Sequence, residues 1–307
     1  MDSIFITDVS PRDGLQNQQV PVSTSDKLQL IRLLAAAGVQ SVEVTSFVSP
    51  KAVPQMADAA DLVPQVIQAL PQLRASVLVP NLKGLERAHA AGAREIAVVL
   101  SATETMNLKN INMGLQQATE VSEQTLARAR ALGLQTRAYV AVAFDCPFEG
   151  ATSPDTVIDL VQRMHAAGAG EVVIADTIGS APPGAVKALL GRVTQAVSAS
   201  QLAVHFHDTR GMAVANAWAA LEAGIRRFDA SVGGIGGCPF APGAAGNLAT
   251  EDLVIMAERS GFTTAIRVEG LLQAIDFAQT TLQRPLGGRA IQWLRRQYPS
   301  PVPPALA

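Results

Sequence analysis

"SPDTVIDLVQRMHAAGAGEVVIAD", residues 153–176, carries the reading of the fold. Its first part has apolar residues at helical spacing, and its last part is a short β-branched run (Glu171–Asp176). Between them stands Gly168, the residue type that ends a helix in a left-handed turn and sends the chain back toward a sheet. The same rhythm recurs along the chain. Strands are expected near 4–8, 41–46, 75–80, 95–100, 136–144, 171–176, 202–207 and 227–232, with helical patterns such as 25–38, 82–93, 119–133, 153–169 and 211–224. Those helices run into Gly38, Gly92, Gly133, Gly168 and Gly224. Eight strand–helix units in roughly 250 residues predict an α/β fold of the (β/α)8 TIM-barrel type, not an open doubly wound sheet. The dinucleotide fingerprint is missing, because "GGIGGC" (233–238) runs into Pro239, and there is no Walker A loop. "RVEGLLQAIDFAQTTLQRPL" (267–286) predicts a further helix against the barrel. One domain is expected over 1–290, with 291–307 a Pro-rich, frayed extension.

Composition narrows the class. Of the 307 residues 48% are hydrophobic but only 4% aromatic, so the core is expected to be built from Ala, Val, Leu and Ile. A net charge of −2 with interleaved signs gives no electrostatic footprint for nucleic acid. No basic segment precedes a long apolar run, and no uncharged stretch of about 18 residues lacks Gly or Pro breaks, so neither a signal peptide nor a membrane span is expected. Two cysteines, Cys146 and Cys238, in a chain of this size fit a reducing compartment, and a cytoplasmic protein is expected.

Chemistry concentrates at "VHFHDTRG" (204–211). Strand alternation puts His205 and His207 on one face with Ala203, and Leu202, Val204 and Phe206 on the other. If the second set meets the helices, both imidazoles enter the barrel, placed to share a divalent metal. The competing reading is a pair of hydrogen-bonded core histidines. In a barrel, functional groups gather where strands end at their C-terminal side. The polar residues there are Arg12 and Asp13 after the first strand, Glu43 on the second, Asp176 and Thr177 on the sixth, and His205, His207 and Asp208 on the seventh. Cys238 and Asn247 follow the eighth. Asp13 and Asn247 would complete a mixed nitrogen–oxygen set that suits Mg2+ or Mn2+ at least as well as zinc. Asn247 has an alternative, ordering the turn before a helix capped at Thr250. Arg12 is either a surface partner of Asp13 or the cation that stabilises a developing oxyanion. Glu43, if inward, needs a partner, and Arg12 is the natural one. Cys238 lies in a glycine-rich loop and is either a proton-transferring thiol on a lid or an inert core cysteine. Cys146, His89 and His165 read as structural.

Four stretches together, "SPRDGLQNQ" (10–18), "EVTSFVSPKAVPQM" (43–56), "HFHDTRG" (205–211) and "GGIGGCPFAPGAAGNLATEDL" (233–253), closely resemble the 3-hydroxy-3-methylglutaryl-CoA lyases among the metallolyase barrels. The resemblance runs from about residue 3 to 290. It implies Asp13, His205, His207 and Asn247 as ligands of Mg2+ or Mn2+, Arg12 as stabiliser of an acetyl-CoA enolate, and Cys238 as the group that protonates it. Glu43 and Asp176 would support the site, and His205 or Asp176 would be the base. The resemblance implies an acyl-CoA substrate, acetyl-CoA and acetoacetate as products, and a homodimer. The substrate contacts expected are Arg12, Gln16, Thr177 and Arg210. Three positions depart from the family pattern: Gln18 stands where GLQNE is common, Arg210 where HDTYG is common, and Asp145 where a glycine is common. Arg210 adds a cation near the mouth for a substrate carboxylate or the CoA phosphates. The rival readings are a lyase for another 3-hydroxyacyl-CoA such as citramalyl-CoA, a condensing synthase, and a non-catalytic acyl-CoA-binding barrel.

Overall fold

The computed structural model describes residues 2–237 and 246–299. Eight parallel strands close into a barrel: β1 (Phe5–Asp8), β2 (Ser41–Ser46), β3 (Arg74–Leu78), β4 (Glu95–Ser101), β5 (Gln135–Ala141), β6 (Glu171–Asp176), β7 (Leu202–Phe206) and β8 (Arg227–Ala230). Each pairs with the next in sequence, and β1 pairs with β8 to complete the cylinder. The expected TIM barrel is the fold.

Alternation sorts the strand residues between two cores. Val172, Ile174, Leu202, Val204 and Phe206 belong to the large cluster between strands and helices. Ala97, Tyr139, Val173 and Ala203 form a separate small cluster inside the barrel. His205 and His207 follow the parity of Ala203, as the strand pattern requires. The inner layer is mostly small residues, and the volume they leave is filled by Arg137 and Tyr139, both buried.

The helices are α1 (Thr24–Ala37), α2 (Ala59–Ala69), α3 (Leu82–Ala90), α4 (Glu104–Ile111), α5 (Leu115–Ala131), α6 (Pro154–Ala166), α7 (Pro183–Ala196), α8 (Ala213–Glu222), α9 (Thr250–Arg259), α10 (Val268–Leu282) and α11 (Ile291–Gln297). All five glycines read as helix stops adopt positive φ, between 75° and 107°. At Gly38 a Cβ would also lie 2.3 Å from the Ala265 carbonyl oxygen, so any side chain there would push α1 away from the segment leading into α10. Among the described residues no helix is long and apolar enough to cross a membrane.

Three local departures from the sequence reading have physical causes. The apolar run of β5 continues to 144, but the chain leaves the sheet at Val142, whose φ is 49°. The Val142 N–H donates to Thr177 Oγ1 (2.8 Å) and its carbonyl accepts from Thr152 Oγ1 (2.7 Å), holding a β-branched residue in a left-handed conformation it rarely adopts. Thr250 does not cap α9. It is the first helical residue after the N-cap Ala249, and its hydroxyl donates to Asp8 (2.7 Å). Residues 291–297, expected to lie in a frayed extension, form α11 and bury Leu294 completely.

The chain following α10 is clamped to the barrel mouth by two acids of α9. Glu251 accepts from the amides of Gly233 (3.0 Å) and Gly288 (2.7 Å), and Asp252 from those of Arg289 (2.6 Å) and Ala290 (2.9 Å). Burial pushes the Glu251 carboxyl up to about 7 from its ordinary 4.5. A carboxyl with a raised folded-state pKa stabilises the fold fully below its unfolded value and loses that contribution as pH rises through the folded one. Urea midpoints should therefore fall as pH rises from 4.5 to above 7, with Glu251 accounting for at most about 3 kcal/mol. Glu251→Gln should flatten this part of the profile. An unchanged slope in that variant would contradict the assignment.

Candidate active site

β1 runs into a single wide helical turn, Ser10–Gly14. Asp8, fully buried, fixes that turn from below: it accepts from the Ser10 amide (2.9 Å), the Ser10 hydroxyl (2.5 Å), the Val232 amide (3.0 Å) and the Thr250 hydroxyl (2.7 Å). The turn ties the end of β1 to the end of β8, and Arg12 and Asp13 emerge from it over the barrel mouth.

There Arg12 lies between two carboxylates. Its Nε and Nη2 each meet Glu43 Oε2 at 2.5 Å, and Nη1 meets Asp13 Oδ1 at 2.6 Å. Glu43, read as needing a partner, has the one expected. Burial opposes ionisation of Arg12, but Glu43 and Asp13 raise its pKa further, so it stays a cation. Burial also works against Asp13, yet Arg12, His205 and His207 hold its carboxyl below the usual carboxylate range. The guanidinium carbon of Arg12 also sits 5.9 Å from the centre of the Tyr139 ring.

Asp13, His205 and His207 each offer one ligand-type atom, and these atoms all lie within 4.8 Å of one another. The two imidazole centroids are 5.1 Å apart, and both residues are buried. Asn247 joins them through a backbone bridge to His207. Its amide nitrogen donates to Asp13 Oδ2 (2.9 Å) and to the Ile235 carbonyl (3.1 Å). Its oxygen is buried and has no hydrogen-bond partner among the described residues. Gly236 makes room for it, since a Cβ there would fall 2.5 Å from Asn247 Nδ2. A carboxylate, two imidazoles and an amide oxygen with an unused lone pair fit a divalent cation that accepts oxygen and nitrogen donors.

The other residues singled out from the sequence divide into groups. Gln16 joins the centre, its amide donating to Asp13 Oδ1 (3.2 Å). Asp176 lies in register with Phe206, and its oxygens accept from the amides of Ser180 (3.0 Å) and Ala181 (3.0 Å). Burial pushes its carboxyl up, with Asp145 adding to the effect. Thr177 Oγ1 is engaged by the Val142 amide (2.8 Å). Arg210 is exposed and donates to the Ser180 carbonyl (3.0 Å), while Ser180 Oγ donates to Asp145 (2.6 Å). Asp145 and Arg210, the two residues read as departures from the family pattern, thus meet Asp176 at Ser180. Asp208 accepts from the Ala213 amide (3.0 Å) at the start of α8 and pairs with Arg289 (2.7 Å). Cys238 lies outside the described residues.

Sequence reasoning missed Asp8, Arg137, Tyr139 and Asp229, all buried. The available signal was a charged or hydroxylated residue at inward parity in otherwise apolar strands, as in "TRAYVAV" and "RFDASV". An open cavity of about 940 Å³ is lined by Phe5, Ser41, Arg74 and Arg227 at the N-terminal ends of the strands. It lies at the opposite end from the Asp13–histidine group. Barrels carry their chemistry at the C-terminal face, and the side-chain geometry agrees.

A family model described as HMGL-like matches residues 3–278. The chain belongs to the HMGL-like family. Among HMGL-like relatives, the mitochondrial hydroxymethylglutaryl-CoA lyase of Bos taurus is 45% identical over 94% of this chain and 89% of its own length. The cytoplasmic 3-hydroxy-3-methylglutaryl-CoA lyase of Rattus norvegicus is 42% identical over 94% of this chain and 84% of its own. A solved HMG-CoA lyase from Acinetobacter baumannii, in complex with coenzyme A and 3-methylmalate, superimposes with a TM-score of 0.92 at 39% identity, covering 98% of each chain.

Glu43 is fully buried against Arg12, so removing it leaves a buried cation with only Asp13 as its partner. Glu43→Ala should cost about 3–5 kcal/mol of stability by urea unfolding. A loss under about 1 kcal/mol would show that the pair is solvated.

Proposed function

We propose that this HMGL-like protein is a divalent-metal-dependent carbon–carbon lyase that cleaves 3-hydroxy-3-methylglutaryl-CoA to acetyl-CoA and acetoacetate. The observation that carries the reading is the convergence of Asp13, His205 and His207 with the Arg12 guanidinium bonded to the same Asp13 carboxylate. The hydroxymethylglutaryl-CoA lyases among the relatives support the substrate.

Asp13, His205, His207 and Asn247 would hold Mg2+ or Mn2+, which supplies Lewis acidity toward the tertiary hydroxyl of the substrate and lowers its pKa. Loss of that proton lets the adjacent carbon–carbon bond break, and its electron pair becomes the enolate of the thioester. Arg12 would stabilise the enolate oxygen. Its charge is permanent and Glu43 fixes its orientation, so little reorganisation is needed as charge develops. The Cys238 thiol, carried by the chain between β8 and α9, delivers a proton to the enolate carbon. Asp176, whose oxygens accept from the Ser180 and Ala181 amides, or His205 takes up the hydroxyl proton. Gln16 orients Asp13. Arg210, tethered through one nitrogen and otherwise exposed, takes an anionic group of the acyl-CoA at the rim, with Thr177 on the loop that follows β6. The proposal includes a single catalytic barrel over 1–290, a homodimer and a cytoplasmic location. The resemblance in the motifs supports the dimer, and two cysteines in 307 residues support a reducing compartment.

Acetyl-CoA release from 3-hydroxy-3-methylglutaryl-CoA should require Mg2+ or Mn2+, stop with EDTA and be abolished in His207→Ala. Arg12→Met should lower kcat by about 10²–10³-fold. Metal-dependent cleavage of citramalyl-CoA with this substrate untouched would overturn the substrate assignment.

A further inference from the structure

Beneath the mouth, β8 carries a carboxylate that the reaction as described does not use. Asp229 pairs in register with Thr7 on one side and His205 on the other, at the centre of the barrel. It accepts from Arg137 Nη2 at Oδ1 (2.7 Å) and from the Tyr139 hydroxyl at Oδ2 (2.7 Å). The same Oδ2 faces His205 Nδ1 at 3.4 Å. Arg137 is fixed in turn by Glu171 (2.6 Å), which also meets Arg227 (3.3 Å) and Arg74 (3.5 Å). A line of alternating charges thus runs from the N-terminal end of the barrel up to His205.

Core packing does not call for these groups. Ala97, Val173 and Ala203 surround them, and a buried ion pair is in general replaceable by apolar residues of similar volume. What an apolar residue at 229 could not do is address His205. We infer that Asp229 is the positioning residue of His205: its carboxylate keeps the proton on Nδ1 and sets the ring plane, so that Nε2 is the atom turned to Asp13 and His207. The inference rests on the proposed metal centre for its purpose, but its geometry stands on the Asp229 contacts alone. An ionised carboxylate only accepts, so the nitrogen facing it must carry the hydrogen. Arg137, whose Nη2 lies 2.7 Å from Asp229 Oδ1, supplies the counter-charge for that carboxylate in the barrel interior. Arg137 and Tyr139 together occupy both carboxylate oxygens and so fix the direction from which His205 is met. Carboxylate partners of metal-binding histidines act in this way and change metal affinity when removed.

The test uses the whole protein labelled with nitrogen-15 histidine, stripped of metal and held at alkaline pH. Long-range proton–nitrogen correlation should show His205 as the Nδ1–H tautomer, and Asp229→Asn should shift it toward Nε2–H. Mn2+ titration followed by electron paramagnetic resonance should show weaker binding in Asp229→Asn by about 10–100-fold. Tyr139→Phe removes one donor without leaving an unpaired charge, and should weaken Mn2+ by a smaller factor in a folded protein even if Asp229→Asn does not fold. An Nε2–H tautomer in the wild type, or variants that bind Mn2+ as the wild type does, would overturn the inference. A wild type that binds no Mn2+ but shows the Nδ1–H tautomer would overturn the metal reading and support Asp229 as the orienting partner of His205.

Discussion

Four parallel pairs, Phe5–Arg227, Ile6–Phe228, Thr7–Asp229 and Asp8–Ala230, close the cylinder, and the mouth depends on that seam. The turn that follows β1 comes to rest beside the chain that follows β8, and Asp8 bonds to both. Arg12 and Asp13, near the start of the sequence, therefore face Asn247 and the two histidines near its end. A slip of one residue in this register would exchange the inner and outer parity of β1 and separate the site into halves. The clamp of Glu251 and Asp252 onto residues 288–290 holds the same seam from outside, which is how helices beyond the eighth unit bear on the centre.

Charge is distributed along the barrel axis with equal consequence. Arg137, Asp229 and Glu171 form a buried column in which each ionised group has a partner within 2.7 Å. Arg12, Glu43 and Asp13 repeat the arrangement at the mouth. Tyr139 links the two assemblies, with the Arg12 guanidinium 5.9 Å and that of Arg137 5.3 Å from its ring centre. Such networks confer little net stability compared with an apolar core, but they define positions closely, since breaking one member leaves another buried and unpaired. The site is held by that rigidity, and its cations and carboxylates have little freedom to reorganise.

Much of this was legible in the sequence, for identifiable reasons. The strands and the glycine stops depend on local chemistry: β-branched runs, and the left-handed turns that glycine adopts at little cost. The inward parity of His205 and His207 followed from alternation alone. The pairing of Glu43 with Arg12 followed from the cost of burying a lone charge. Long-range geometry decided the rest. Nothing near Val142 in sequence announces that Thr177 and Thr152 will turn it out of the sheet, and nothing near Thr250 announces Asp8. Asp229 sits in "RFDASV" as one acid among apolar residues, and its meaning appears only when Arg137, Tyr139 and His205 are brought around it. Asp176 and Arg210 were read for the mouth, but nothing near either in sequence announces that both meet Ser180.

The central claim is that Asp13, His205, His207 and Asn247 form one cation site. Anomalous diffraction at the manganese edge, from crystals of the protein grown or soaked with Mn2+, tests it most directly. The account predicts one strong peak among those four side chains, with an imidazole nitrogen of each histidine and the Asn247 oxygen turned toward it. A peak elsewhere in the barrel, or none there at saturating Mn2+, would contradict it.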